Sequence, residues 1–183
     1  MNIRDVLIDH VPRLRRYARA LIHNRELADD LVQDTLERAL GHTDQYRDGA
    51  DPRAWLFAIM HNVYVNHARR ASARVAHVSM DDETIGEETL AVPDAQLRAL
   101  EMRDLDEALA RLPAEQREVV LLVGLEDMSY AEVSQALDIP LGTVMSRLSR
   151  GRERLRGLMA GEERVQGRPD AKAAAATRLR VVR

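Results

Sequence analysis

Residues 139–156, IPLGTVMSRLSRGRERLR, carry five arginines and one acidic side chain in a chain of net charge -3. Apolar residues recur there every three or four positions, which predicts a helix beginning near Thr143 with one buried face. That face comprises Val144, Leu148, Gly151 and Leu155. Another face comprises Met145, Ser146, Ser149 and Arg150. Small and hydrogen-bonding side chains bordered by arginines suit the major groove of DNA, because base edges require close approach and the groove walls are phosphate.

The predicted DNA contacts divide between bases and phosphates. We expect Arg150 to reach a guanine edge, whereas Arg147 and Arg152 hold phosphates. The full predicted set is Thr143, Met145, Ser146, Arg147, Ser149, Arg150 and Arg152. The alternative is an amphipathic helix whose basic face is only solvated. The residues that precede the helix decide between these two interpretations.

Those preceding residues predict a helix-turn-helix. Ser129 and Glu132 have the spacing of a capping box at the start of a short helix. Ser134 is small enough for close helix approach, and Asp138 tolerates the left-handed conformation that a tight turn requires. A capped helix, a turn and a second helix with a buried face together favour DNA binding.

An acidic stripe is predicted on an earlier helix, within LADDLVQDTLERAL, residues 27–40. Its core-facing side comprises Ala28, Leu31, Val32, Leu36, Ala39 and Leu40. The opposite side comprises Asp30, Gln33, Asp34 and Glu37. Such a stripe repels DNA, so it is either a solvated surface or a docking face for a protein partner that carries arginines.

A third helix, expected from Pro52 to about Arg70, carries an amide and aromatic face. Its residues are Trp55, Asn62, Asn66, Arg69 and Arg70. Amides and a flat ring beside arginines can stack on unpaired bases and hydrogen-bond to them. The alternative for Trp55 is packing in the core, since large aromatic residues are mostly buried.

The helices that position these faces predict an all-α fold of two small modules joined by a flexible linker. Residues 11–40 are expected to form two helices, with Asn24 as N-cap of the second, and Asp51 caps the third. Asp94 starts another helix, whose inward positions are Leu97, Leu100, Leu105 and Leu109. The predicted divisions are a module over 1–70, an acidic linker over 71–94, a module over 95–160 and a disordered tail over 161–183.

The second module resembles a known family. Residues 111–156, which include SYAEVSQALDIPLGTVMSRLSRGRERLR, are similar to region 4 of the bacterial extracytoplasmic function sigma factors. In the first module, YARALIHNRELADDLVQDTLERAL and DPRAWLFAIMHNVYVNHARR resemble region 2 of that family, in the same order. The resemblance implies a sigma factor that binds RNA polymerase core and promoter DNA, with region 4 on the minus-35 element.

The same resemblance implies roles for the two faces of the first module. The acidic stripe would dock on the clamp helices of the polymerase beta-prime subunit, and the beta flap is a further expected contact. The helix from Trp55 to Arg70 would hold the melted minus-10 strand, with specificity set by loop residues 42–50. Phrases such as RLRRYARAL resemble the alphaproteobacterial general stress-response subgroup. That subgroup implies control by an anti-sigma factor, itself sequestered by a sigma-mimicking response regulator.

Composition excludes several other classes of protein. The chain has no cysteine, and its six histidines lack metal-ligand spacing, so we expect no disulfide, metal site or cofactor. No stretch reaches the apolar length of a membrane span, which predicts a cytoplasmic protein. An enzyme is the least favoured class, because Ser146 and Ser149 have no poised base and no glycine-rich phosphate loop is present.

Two other interpretations remain open at this stage. One is a conventional helix-turn-helix regulator whose first module senses a ligand or dimerises. The other is a sigma-mimicking decoy that binds an anti-sigma factor without binding promoters. Retention of Ser146, Arg147 and Arg150 argues against the decoy, because a decoy does not need residues that contact bases.

Overall fold

The computed structural model describes residues 3–46, 51–75 and 93–161, and these residues form helices without any strand. The helices are α1 (Ile3–Ile22), α2 (Arg25–Gly41), α3 (Pro52–Val75), α4 (Pro93–Ala110), α5 (Ala114–Gly124), α6 (Tyr130–Ala136) and α7 (Leu141–Met159), with a short 3-10 helix at Thr43–Gln45. The predicted all-α class is confirmed. The predictions for the linker centre, residues 76–92, and for the tail, residues 162–183, lie outside the described residues.

Side-chain caps fix the starts of three helices at the predicted places. The Leu27 backbone N–H donates to Asn24 Oδ1 over 3.0 Å at the start of α2. At α3, the Arg53 backbone N–H donates to Asp51 Oδ1 over 2.8 Å. Ser129 and Glu132 form the reciprocal capping box of α6. These oxygens accept hydrogen bonds from N–H groups that lack partners within the helix.

The first module is a bundle of α1, α2 and α3 around fully buried apolar side chains. The largest are Leu14, Leu21, Leu31, Leu56 and Met60. The rings of Tyr17 and Phe57 pack edge to face with their centroids 5.0 Å apart. Thr35 is also buried, although it was not predicted in the core, and its hydroxyl donates to Leu31 O over 2.6 Å. An intrahelical bond of this kind removes the cost of burying the hydroxyl.

The second module places α7 against α5 and α6 in a helix-turn-helix. Asp138 has φ 51, which is the left-handed conformation expected in the turn. The Ser134 hydroxyl donates to Ile139 O over 2.6 Å, so this residue closes the turn as well as leaving room for the helix. The helix α7 begins at Leu141, two residues before the predicted start at Thr143. Pro140 is the N-cap, because its ψ of 146 is extended and not helical.

Some predicted core positions are wrong. Leu40 is 48% exposed, because it lies at the end of α2. Leu40 borders a surface groove between α1 and α2 that is open to solvent. Leu100 is 55% exposed, whereas Leu109 in the last turn of α4 is buried. The helix α3 continues to Val75 instead of ending near Arg70, because no glycine or proline interrupts ASARV.

The two modules pack against each other through charged contacts as well as apolar ones. Arg16 of α1 donates to Glu126 Oε1 over 2.8 Å, and the Glu126 side chain is fully buried while Arg16 is 53% exposed. His61 Nδ1 lies 2.8 Å from Glu118 Oε1. Burial, followed by the nearby charge of Glu118, raises the pKa of the Tyr17 phenol well above its usual value. Carboxylates in the second module therefore meet cationic or hydrogen-bonding groups of the first.

Arg117 adds a backbone connection between the modules. Its guanidinium donates to Leu21 O over 2.7 Å at the end of α1, and to Ala110 O over 2.6 Å at the end of α4. Carbonyls in the last turn of a helix lack intrahelical partners and carry the negative end of the helix dipole. One half-buried arginine thus caps two helices from different modules.

We predict that Gly151→Ala destabilises the second module. A Cβ on Gly151 would lie 2.7 Å from Val120 Cγ2, at the crossing of α7 and α5. Overpacking of this kind costs about 1–3 kcal/mol, partly offset by the better helix propensity of alanine. Urea denaturation of the full chain measures the free energy of unfolding. Gly157→Ala is the matched control, since nothing lies within 4 Å of its Cβ position. Equal stability of the two variants would contradict the close packing of α7 on α5.

We also predict that Arg16→Ala separates the modules. The variant leaves the Glu126 carboxylate without its side-chain donor, and an unpaired buried charge costs about 3–5 kcal/mol. Separation hydrates Glu126 and avoids that cost. Small-angle X-ray scattering should therefore give a larger radius of gyration than for the unaltered chain. Arg15→Ala is the control, because Arg15 contacts only Asp29 of the same module, at 3.5 Å, among the ion pairs described. Identical scattering from both variants would refute the role of Arg16.

Candidate functional site

The predicted minus-35 surface is a solvent-facing side of α7. Met145, Ser149, Arg150 and Arg152 are exposed, with Met145 at 49%. They lie opposite the buried residues Val144, Leu148 and Gly151, which hold α7 on the rest of the module. The exposed side carries an apolar group, a hydroxyl and two guanidinium groups, which is a suitable set for base edges flanked by phosphates.

The other predicted residues of this surface are partly engaged within the module. The Ser146 hydroxyl donates to Thr143 O over 3.1 Å, and both residues are half-buried. Arg147 pairs with Glu115 at the start of α5, with Nη2 and Oε2 2.6 Å apart, and only 23% of its side chain is exposed. The structure therefore presents Arg150 and Arg152 more openly than Arg147.

The predicted minus-10 surface lies on α3. Trp55 is half-buried and packs against the core, while its ring also meets Tyr46 with centroids 5.2 Å apart. The two interpretations of Trp55 thus both describe part of its environment. Asn62 is exposed and donates from Nδ2 to Ala58 O over 3.0 Å, which leaves its amide oxygen directed away from that bond.

Towards the end of the described part of α3, the same face becomes cationic. Arg69 and Arg70 are exposed, and Asn66 is half-buried one turn earlier. The structure describes the loop before α3 up to Tyr46 and again from Asp51. The prediction that loop residues 42–50 set base specificity therefore lies partly outside the described residues. At the start of α3, side-chain hydrogen bonds from Arg53 lower the pKa of the N-cap residue Asp51.

The predicted acidic stripe on α2 is exposed along its whole length. Its members are Asp30, Gln33, Asp34 and Glu37. Gln33 Nε2 donates to Glu37 Oε1 over 3.0 Å along the helix. Asp34 Oδ2 lies 2.7 Å from His67 Nε2 of α3. The stripe therefore adjoins α3, whereas α7 belongs to the other module and packs on α4, α5 and α6.

The contacts between the modules were missed by the sequence reasoning. Arg16, His61 and Arg117 were not singled out, nor were Glu118 and Glu126. The segment REVVLLVGLEDM did contain an indication of them. Glu118 and Glu126 lie at the two ends of its apolar run, and both prove buried. A buried carboxylate requires a donor, so the acids indicate partners without identifying them.

In the part of the chain that the structure describes, no group of three or more His, Asp or Glu side chains is arranged to hold a metal ion. None of its helices is long and apolar enough to cross a membrane.

Comparison with known proteins gives matches to both modules. The family model described as the Sigma2 domain of PhyR matches residues 7–61, and Sigma-70, region 4 matches residues 102–155. The ECF RNA polymerase sigma factor EcfG of Rhodopseudomonas palustris (strain TIE-1) is 35% identical over 158 residues, covering 86% of this chain and 85% of the relative. The ECF RNA polymerase sigma factor SigL of Mycobacterium tuberculosis (strain ATCC 25618 / H37Rv) is 36% identical, covering 80% and 82% respectively.

A solved structure is similar over nearly the whole fold. The sigma factor RpoE of Bartonella quintana, crystallised with the anti-sigma factor NepR, aligns with a TM-score of 0.72 and 32% identity. The alignment covers 86% of this chain and 96% of RpoE. The likeness thus includes both modules. The chain therefore belongs to the ECF RNA polymerase sigma factors, which give RNA polymerase core its promoter specificity in transcription initiation.

Proposed function

We propose that the chain docks on RNA polymerase core with the stripe on α2, holds the melted minus-10 strand on α3 and reads the minus-35 duplex with α7. The observation that carries this proposal is the separation of charge. The acidic stripe and the arginine-bearing side of α7 are both exposed, on different modules. A protein partner and a DNA duplex can therefore be bound at the same time without competing for one surface.

On α7, Arg150 is the proposed base-reading residue. It is exposed and follows Ser149, which lies one turn after Met145, so the exposed part of α7 offers donor, hydroxyl and apolar groups to the groove. An arginine fork matches the O6 and N7 acceptors of guanine. Arg152 is placed to contact phosphate, while the pairing of Arg147 with Glu115 orients its guanidinium before DNA arrives.

On α3, the proposed ligand is single-stranded DNA. Trp55 and Tyr46 offer aromatic surface, Asn62 offers an exposed amide, and Arg69 and Arg70 supply positive charge for the strand backbone. Bases in a duplex hide their faces by stacking, so aromatic platforms favour unpaired strands.

On α2, the proposed partner is the pair of clamp helices of the beta-prime subunit. Asp30, Gln33, Asp34 and Glu37 present carboxylate and amide oxygens along one face of the helix. Carboxylates bind arginine guanidinium groups through charge-assisted and often bidentate hydrogen bonds. The beta flap is the proposed contact of the second module, where it would help to fix the distance between the two DNA-binding surfaces.

We further propose that this sigma factor acts in the cytoplasm, without catalysis, in a stress response controlled by an anti-sigma factor. The similarity to EcfG and to an RpoE that is crystallised with NepR supports this assignment. A decoy of an anti-sigma factor is the second candidate, because one matched family model describes the sigma domain of PhyR. The two candidates differ in a measurable way, since a decoy does not bind polymerase core.

We predict that Asp30→Arg weakens binding to core polymerase at least about tenfold, which corresponds to about 1.4 kcal/mol. The substitution places a cation where the partner is proposed to present arginines. Fluorescence competition with labelled full-length chain measures the dissociation constant. Glu101→Arg makes the same charge change at an exposed position of α4 and should leave core affinity unaltered. Normal core affinity of Asp30→Arg, or equal loss in both variants, would refute the docking face.

We predict that Arg150→Ala weakens holoenzyme binding to the minus-35 element by about 1–3 kcal/mol and relaxes selectivity at one base pair. Core affinity should stay unchanged, because α7 lies on the other module from the α2 stripe. Footprinting and competition with single-base promoter variants give the two readouts. Arg103→Ala removes an exposed arginine of α4 and serves as the control. An unaltered minus-35 footprint for Arg150→Ala would exclude the base-reading role.

A further inference from the structure

One side-chain contact joins the proposed polymerase face to α3. His67 Nε2 donates to Asp34 Oδ2 across 2.7 Å, and the two residues are 33 positions apart in the chain. The Asp34 side chain is 48% exposed and that of His67 is 30% exposed. About half of the Asp34 side chain thus stays open to solvent while one of its oxygens is bound.

This contact differs from the other hydrogen bond in the stripe. Gln33 and Glu37 both belong to α2 and lie one turn apart, so their bond only links two flexible side chains of the same surface. His67 belongs to a different helix, and α3 is anchored in the core by Val63 and Met60, one and two turns earlier. The donor to Asp34 therefore comes from a fixed support, which restricts the carboxylate more strongly.

From this geometry we propose that His67 is a positioning residue for polymerase binding. It holds Asp34 by Oδ2, which leaves Oδ1 to accept hydrogen bonds from an arginine of the partner. This inference rests on the proposed role of the α2 stripe in core binding. A carboxylate can accept from two donors at once, so the histidine does not exclude the partner. Fixing the carboxylate before binding lowers the entropy that is lost when the complex forms.

The experiment measures core affinity for His67→Leu and His67→Gln in the full chain. Leucine has no donor, whereas the glutamine amide retains an N–H group that can reach Asp34. We expect His67→Leu to weaken core binding about 3–10-fold, since the Asp34 side chain then has to lose its rotamer freedom when the complex forms. His67→Gln should bind within about twofold of the unaltered chain. Thermal unfolding and minus-35 duplex binding check that both variants fold.

A double-mutant cycle with Asp34→Ala tests whether His67 acts through Asp34. If it does, His67→Leu has no further effect once Asp34 is alanine. An effect that persists in that background would overturn the inference, because His67 would then act on polymerase or on the fold directly. Equal weakening by leucine and glutamine would overturn it as well. So would unchanged or tighter binding by His67→Leu.

The same measurements separate this inference from the proposed function. If Asp34→Ala weakens core binding while His67→Leu does not, the docking face stands and the role of His67 is refuted. If neither Asp34→Ala nor Asp30→Arg changes core affinity, the docking face itself is refuted, and the inference about His67 is refuted with it.

Discussion

Two carboxylates, Glu118 and Glu126, are buried where the helical modules meet, and the relation between the modules depends on how these charges are satisfied. His61 and Arg16 supply the partners, each at 2.8 Å, and both come from the first module. Hydrogen bonds of this kind are directional, and little free energy is lost when water replaces the partner. The contact therefore defines one packing arrangement of the modules. When the modules separate, water can replace its hydrogen bonds.

The remaining charge of the molecule is distributed around that contact. The stripe on α2 and the arginines Arg150 and Arg152 of α7 are exposed on separate modules, so neither neutralises the other. Arg147 of α7 pairs within its own module, with Nη2 2.6 Å from Glu115 Oε2. A chain of net charge -3 can thus keep a positive DNA-binding surface, because the sign of the local surface governs each encounter.

Local patterns predicted much of the fold and most of the exposed surfaces. The caps at Asn24 and Ser129, and the left-handed turn at Asp138, follow from side-chain chemistry within a few residues. The buried face of α7 likewise follows from a local pattern, the spacing of its apolar residues. The same patterns failed at Leu40 and Leu100, because periodicity does not state where neighbouring helices stop.

Contacts between distant parts of the chain could not be predicted in this way. Arg16 and Glu126 are 110 residues apart, and no spacing rule connects them. His67 of α3 reaches Asp34 on α2, a contact that depends on the angle between two helices. The central claim, that these surfaces serve transcription initiation, is tested most directly by transcription in vitro. Core polymerase and the chain are combined on pooled genomic fragments, and start sites are mapped. The account predicts start sites that require both components and share two upstream motifs; no start sites above those of core alone would contradict it.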